Sequence, residues 1–275
     1  MGKLYIVGTP IGNLEDITLR ALRVLGEADL IAAEDTRRTR KLLTHYDIQV
    51  RLFSYRRENE MRAAVELADR IGEGMNVALV TDAGMPGISD PGFALVAECA
   101  ARGLGIEVVP GASALTALLA VSGFPVSSFL FEGYLPNKSS ARRARLLELA
   151  GEPRPVVFFE APHRIRATLK DVAELLPSRT LVLARELTKL HEEIRRGLAS
   201  RLLEQWGEPE ARGEYVGLIA AAEEAGEAIA APERLAQEVQ ELLNRGVARN
   251  DAFKIAATKW GVSKRAVYQA YLEHR

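Results

Sequence analysis

The chain has 275 residues, 48% hydrophobic and 27% charged, which excludes a disordered, collagen-like or coiled-coil chain and suggests roughly two domains. Its 36 Lys and Arg stand against 37 Asp and Glu, so a net charge of −1 excludes nucleic-acid binding by bulk charge and leaves only local basic patches. One cysteine, Cys99, permits no intrachain disulfide, and with four histidines it is too little for a Cys-rich zinc module.

Taken in order, apolar β-rich runs at 4–7, 30–33, 77–80, 106–109, 129–131, 156–159, 181–184 and 216–220 predict strands. Helical spacing predicts helices over 18–25, 61–71 and 93–100. Strands separated by such helices predict crossover units and a mostly parallel sheet. The runs are apolar throughout rather than alternating, as strands covered on both faces are. Residues 108–131 carry no charge over 24 positions, yet Pro110, Gly111, Gly123 and Pro125 interrupt them. They read as strand, loop, buried helix, loop and strand, not as a membrane span. No secretory signal is read at the start, and the lone thiol fits a reducing compartment. The expectation is a cytoplasmic protein without a membrane partner.

A seam at Gly123-Phe124-Pro125 divides two α/β halves, 1–123 and 124–222. A low-information run, 223–231, reads as a linker. The tail, 232–275, is predicted helical and holds eight Lys and Arg against five Asp and Glu. Within it, Ala257-Thr258-Lys259-Trp260-Gly261-Val262-Ser263 followed by Val267 and Ala270 fits a helix-turn-helix, with Lys264 and Arg265 opening the second helix. A plain three-helix bundle is its structural alternative.

Three glycine-bearing loops follow predicted strands. The first, Gly8-Thr9-Pro10-Ile11-Gly12-Asn13-Leu14, is neither G-x-G-x-x-G nor a P-loop. The second runs from Thr81 through Asp82, Ala83, Gly84, Met85, Pro86, Gly87, Ile88, Ser89, Asp90 and Pro91 to Gly92. That is far longer than the usual connection of about four to six residues. The third is Pro110-Gly111-Ala112-Ser113-Ala114. Loops at the carboxyl ends of parallel strands are where open α/β sheets bind ligands, so the three predict one shared pocket.

These loops occur in order with Glu34-Asp35-Thr36-Arg37, Phe131-Glu132-Gly133-x-Leu135-Pro136 and Glu160-Ala161-Pro162-His163-Arg164. The set resembles the tetrapyrrole methylase superfamily, and within it the bacterial enzymes that methylate a cytidine 2'-hydroxyl of 16S rRNA. The resemblance covers about 1–222. It implies two α/β domains with S-adenosylmethionine bound in the cleft between them, a small helical C-terminal domain, and a homodimer. It implies methylation in the decoding region of 16S rRNA, within the 30S subunit. By position, the cofactor would meet Pro10, then Gly84, Met85, Pro86 and Ile88, then Ser113 and Ala114, and the backbone near Glu160 and Ala161. Relatives often carry Gly-Asp-Pro where this chain has Gly84-Met85-Pro86, so contacts there are expected through backbone.

Methyl transfer to an alcohol needs a base or strong acceptor for the hydroxyl proton. Glu34, Asp35, Asp82 and Lys189 are the candidates, with Asp35 equally readable as a helix cap and Lys189 as a surface lysine. No metal site is expected. For RNA, two basic clusters stand out: Arg37, Arg38, Arg40 and Lys41, and Lys138, Arg142, Arg143 and Arg145. At helical spacing, Lys138, Arg142 and Arg145 share one face. Arg195 and Arg196 form a weaker third cluster. Cys99 reads as core packing. Two alternatives remain: a tetrapyrrole methylase of the same fold, and a nucleotide-sensing DNA-binding regulator.

Overall fold

The structure, a computed structural model, describes residues 2–205, 213–222, 232–244, 247–260 and 264–274. The predicted linker, 223–231, and the Gly261-Val262-Ser263 turn lie outside them. Strands β1 (Lys3–Val7), β2 (Leu30–Ala33), β3 (Leu52–Ser54), β4 (Val77–Val80) and β5 (Gly105–Val109) form a first sheet in the order β3-β2-β4-β1-β5. Strands β6 (Leu130–Tyr134), β7 (Val156–Glu160), β8 (Thr180–Arg185), β9 (Glu193–Leu198) and β10 (Tyr215–Ile219) form a second, ordered β6-β7-β10-β8-β9. Both sheets belong to one compact unit, Met1–Leu147 with Pro155–Ala220; the second unit comprises Glu148–Arg154 and Ala221–Arg275.

All pairings in the first sheet are parallel, in agreement with the predicted crossovers. Its buried runs, such as Leu30–Ala33 and Val77–Val80, are covered throughout. On one side lie α1 (Leu19–Glu27) and α2 (Thr36–His45), whose Val24, Leu25 and Leu43 join Val7, Ile31 and Val80. On the other lie α3 (Glu60–Gly72) and α4 (Phe93–Ala101), whose Leu67, Ile71 and Leu95 join Leu4, Val77 and Leu79. Cys99 is fully buried in that second layer, as its apolar setting predicted.

The second sheet corrects the parallel expectation. Only β6 and β7 run parallel; β10 is antiparallel to both β7 and β8, and β8 is antiparallel to β9. The short link from β8 to β9 leaves no room for a crossover helix, so β9 returns as an antiparallel edge. Helix α5 (Ala114–Val121) precedes the seam at 123, yet its Leu118 and Leu119 pack on Val157, Val182 and Leu218 of the second sheet. Arg196 donates to the carbonyls of Ser122 and Val121 at that helix's C-terminal end.

Helices α6 (Ser139–Glu148), α7 (Pro162–Leu175) and α8 (Ala199–Gln205) serve the second sheet. In the second unit, α9 (Pro232–Asn244), α10 (Arg249–Trp260) and α11 (Lys264–Glu273) share a core of Leu235, Val239, Phe253, Val267 and Tyr271. Lys264 donates to the Asn250 side chain. No helix among the described residues is long and apolar enough to cross a membrane.

Candidate active site

Parallel pairing brings the carboxyl ends of β1, β4 and β5 to one edge, so the three glycine loops meet there. Thr9 and Gly84 exchange backbone hydrogen bonds of 2.9 and 3.1 Å across a short antiparallel bridge. The Gly8 amide donates to the Val109 carbonyl at 3.0 Å. A β-carbon on Gly8 would lie 2.7 Å from Gly111 Cα and from Met85 Sδ. Only glycines permit this approach of three loops.

The second sheet presents an edge of its own. Because β10 runs antiparallel to β7 and β8, its amino end sits beside their carboxyl ends. This gathers Phe159, Glu186, Leu187, Lys189, Glu214 and Tyr215, joined by Tyr134 from β6. A side chain on Gly12 would collide with Lys189 Cγ, so the first glycine loop closes directly onto this edge.

A cavity of about 220 Å³ lies where the two edges face each other. Of the expected cofactor residues, Gly84, Met85, Ile88, Ser113 and Ala114 line it. Pro86 is buried and does not line it. Pro10 instead lines a neighbouring hollow with Thr9, Arg38 and Lys41. Glu160 and Ala161 do not line the cavity; their neighbour Phe159 does. Glu160 is 1% exposed and spends its carboxylate on the Thr168 hydroxyl at 2.6 Å, the Ala161 amide at 2.9 Å and Arg164 at 3.2 Å. It anchors the start of α7.

The expected acid–base candidates separate cleanly. Glu34 lines the cavity, and burial followed by the charge of Asp82 raises its pKa. Asp35 does not line it. Its Oδ1 accepts from the Arg37 amide at 2.8 Å, and its carboxylate pairs with the Arg37 guanidinium at 2.9 Å. That hydrogen bonding drives its pKa far below the usual range. Asp35 is therefore the cap of α2 and not a base. Asp82 accepts the Asp35 amide at 3.0 Å and pairs with Arg38 at 3.1 Å, so both its oxygens are engaged. Lys189 reaches the cavity with its ammonium 2.7 Å from Glu186 Oε1. Burial works against the Glu186 charge, but Lys189 and the Glu214 amide outweigh it and lower the pKa.

Sequence reasoning passed over Asp90, Tyr134, Phe159, Glu186 and Glu214. Asp90 sat in the long loop already singled out, where only its position after Ser89 could have marked it. Burial and the charges of Glu34 and Asp82 raise its pKa to about 7. Burial, then Glu214, also raises Tyr134, which stays a phenol and a donor at neutral pH. Ser89 (φ 65°) and Glu186 (φ 53°), both lining the cavity, are two of four non-glycine residues at positive φ among the described residues. Backbone strain of this kind persists where the surroundings hold it in place.

The basic clusters resolve unequally. Arg37, Arg38, Arg40 and Lys41 are exposed on α2, with Arg38 lining the cavity. Lys138 is exposed just before α6. Arg142 is not available for RNA: it is 4% exposed and holds Asp171 through Nη2 at 2.7 Å and Nε at 2.8 Å. Arg145 is bound by two hydrogen bonds, 2.5 and 2.9 Å, to Glu132 on β6. Arg195 is similarly engaged by Glu193 and the Gln205 carbonyl. The shared face expected of Lys138, Arg142 and Arg145 is thus turned largely inward, onto α7 and β6.

The residues fit S-adenosylmethionine. Ile11, Met85, Ile88, Phe159, Leu187 and Val216 supply apolar walls for a purine. Acidic Glu34 and Asp82 suit its cationic sulfonium. Ser113 makes no side-chain cap bond, which leaves first-turn amides of α5 open to a carboxylate. Among the described residues, no three of His, Cys, Asp and Glu are grouped to hold a metal.

This α/β architecture and its glycine-loop cleft are those of a methylase. The chain belongs to the tetrapyrrole methylase family: the family model for Tetrapyrrole (Corrin/Porphyrin) Methylases matches residues 3–203. Among its relatives is a Thermotoga maritima protein named Ribosomal RNA small subunit methyltransferase I, 50% identical over 81% of this chain and 100% of its own length. A Halalkalibacterium halodurans protein of the same name is 42% identical over 98% of this chain and 94% of that one. Solved structures agree in fold. Diphthine synthase superposes with a TM-score of 0.61 at 15% identity, covering 80% of this chain and 90% of that one. A Thermus thermophilus uroporphyrin-III C-methyltransferase complexed with S-adenosyl homocysteine gives 0.55 at 21%, covering 80% and 97%.

Proposed function

We propose that this protein is an S-adenosylmethionine-dependent methyltransferase acting on the ribose 2'-hydroxyl of a cytidine in 16S rRNA. It would work in the cytoplasm as a homodimer, on RNA within the small ribosomal subunit. The observation that carries this reading is 42–50% identity to proteins named Ribosomal RNA small subunit methyltransferase I, one of them matched over 98% of this chain. The cavity supports it: Gly84, Met85, Ile88, Ser113 and Ala114 would hold the cofactor, and the acidic edge would receive the ribose.

When bound, the cofactor supplies an activated methyl group on sulfur, whose leaving thioether is neutral. The residues' own tasks are positioning and proton removal, and positioning contributes much of the rate. Tyr134 stays protonated and can donate to a ribose oxygen. The Glu186–Lys189 pair keeps a cation at the rim, where a phosphate can meet it. Isotope-labelled methyl donor incubated with 30S particles, followed by mapping of the modified nucleotide, tests the reading. Methylation of a tetrapyrrole instead of RNA would overturn it.

Because the leaving thioether needs no charge stabilisation, cofactor binding should be independent of divalent metal. Calorimetry with and without a chelator should give equal affinities, and loss of binding on chelation would disprove this. Ser113→Trp should abolish binding while leaving the fold intact, since loop positions at strand ends tolerate change. Normal affinity in that variant would remove Ser113 from the site.

RNA steering is assigned to α2. Replacing Arg37, Arg38 and Arg40 with alanine should weaken 30S binding and flatten the slope of log affinity against log salt by about 0.7–0.9 per lost phosphate contact. Parallel salt lines for variant and wild type would show that α2 is only a solvated face.

A further inference from the structure

Four other carboxylates surround or line the same cavity as Asp90, and they are not equivalent. Asp82 has both oxygens committed, to the Asp35 amide and to Arg38. Glu186 is held by Lys189 and by the Glu214 amide. Glu34 accepts the Asp82 amide at 3.5 Å. Glu214 is exposed to solvent. Asp90 is half-buried, lines the cavity, and accepts no hydrogen bond from any donor among the described residues.

The backbone around Asp90 is clamped on both sides. Before it, the Arg57 guanidinium donates to the Ser89 carbonyl at 2.9 Å. After it, Glu60 Oε1 accepts the Gly92 amide at 2.8 Å and the Ala94 amide at 3.2 Å. Tyr55, 1% exposed, donates to the same Glu60 oxygen at 3.3 Å and accepts the Leu95 amide at 3.1 Å. The Gly87 amide bonds the Pro91 carbonyl across the turn. A loop held this firmly, with Ser89 in a left-handed conformation, presents one carboxylate with open lone pairs to the cavity.

We propose that Asp90 is the general base of this site, taking the proton of the attacking hydroxyl, and that Arg57 and Glu60 are positioning residues that hold its loop. This rests on the methyl-transfer reading above. The O–H bond breaks and its proton passes to an Asp90 carboxylate oxygen. The freed electron pair forms the new O–C bond as the S–C bond breaks with its pair on sulfur. The groups facing Asp90 are Glu34 beyond β2, Asp82 beyond β4, Tyr134 at the end of β6, Glu214 before β10 and Arg57 before α3. Burial first, and then the three carboxylates, favour its protonated form, while Arg57 favours its ionised form, which places the change of state near neutrality. A base must be ionised to act, so the rate should rise with pH through this range and level off above it.

The test uses the full chain and begins without RNA. In protein carrying carboxyl-¹³C aspartate, one resonance, absent from Asp90→Asn, should titrate near pH 7. Titration in the ordinary aspartate range, about 4, would overturn the proposal. Asp90→Asn should keep cofactor affinity within twofold by calorimetry and lose roughly 10²- to 10⁴-fold in single-turnover methylation of 30S particles. A wild-type rate in Asp90→Asn would overturn it. Arg57→Gln removes the neighbouring cation and should move both the titration and the ascending limb of the pH–rate profile to higher pH. An unmoved limb would remove Arg57 from its positioning role. Wild-type protein that methylates no RNA would overturn the underlying reading instead, an outcome separate from an active Asp90→Asn.

Discussion

Asp171→Ala is expected to destabilise the protein by about 3–5 kcal/mol, because it leaves the Arg142 guanidinium buried without its partner. The two side chains are 5% and 9% exposed and share two short contacts. Arg143 adds a third at 3.0 Å and reaches Glu174 at 2.6 Å, so α6 and α7 are joined by a small charge network. Arg142→Ala should cost a similar amount, since it strands the carboxylate. The double variant Arg142→Met with Asp171→Leu should recover most of the loss, as an apolar pair of similar volume removes the desolvation cost. Urea unfolding of the four proteins, with slopes compared, measures this. A loss below about 1 kcal/mol in Asp171→Ala, the range of exposed pairs, would show that the pair is solvated. The corollary concerns RNA: an Arg142 variant should lose stability and leave the salt slope unchanged.

Gly8→Ala is the second large effect. The new methyl would lie 2.7 Å from Gly111 Cα, Gly111 N and Met85 Sδ, and the two Gly111 atoms are backbone that cannot swing aside. Overpacking of this kind costs roughly 1–3 kcal/mol. The loops that must part are those that line the cavity, so cofactor affinity should fall at least about tenfold, equivalent to about 1.4 kcal/mol. Gly26→Ala is the control. Gly26 lies within α1 with nothing inside 4 Å of an added β-carbon. It should gain stability, by up to about 1 kcal/mol, with unchanged affinity. Equal affinity in Gly8→Ala and wild type would mean that the three-loop junction does not shape the site.

The acidic edge also separates the two halves of the site by origin. Glu34, Asp82 and Asp90 come from loops of the first sheet, whereas Glu186, Glu214, Tyr134 and Phe159 come from the second. The glycine loops provide close backbone approach, and the second sheet provides aromatic and charged side chains.

Much of this was legible in the chain alone. Strands such as Leu30–Ala33 and Val77–Val80 coincide with their predicted bounds, because a continuous apolar run between turn residues is a local signal. The three glycine loops were found for the same reason: a strand end followed by Gly and Pro needs no knowledge of distant residues. Asp35 as a cap is equally local, its acceptor lying two residues from the amide it binds. Two strands escaped. β3 has three residues, all only half-buried, and β9 carries Glu193, Arg195 and Arg196 at the edge of its sheet. Neither shows the apolar run that burial on both faces imposes.

Other features depended on partners far along the chain. The direction of β10 against β7 and β8 brought Glu214 beside Glu186, and no periodicity encodes strand direction. Helical spacing grouped Lys138, Arg142 and Arg145 on one face, but whether that face meets water or protein depended on Asp171 and Glu132, which lie on α7 and β6. The same holds for the two aspartates of the long loop. As residue types Asp82 and Asp90 are identical; Arg38 and the Asp35 amide occupy one, and the fold leaves the other open to the cavity. Local backbone preferences and apolar runs are properties of neighbouring residues and survive in the sequence, whereas the freedom or engagement of a charge is a property of its surroundings, which exist only once the chain has folded.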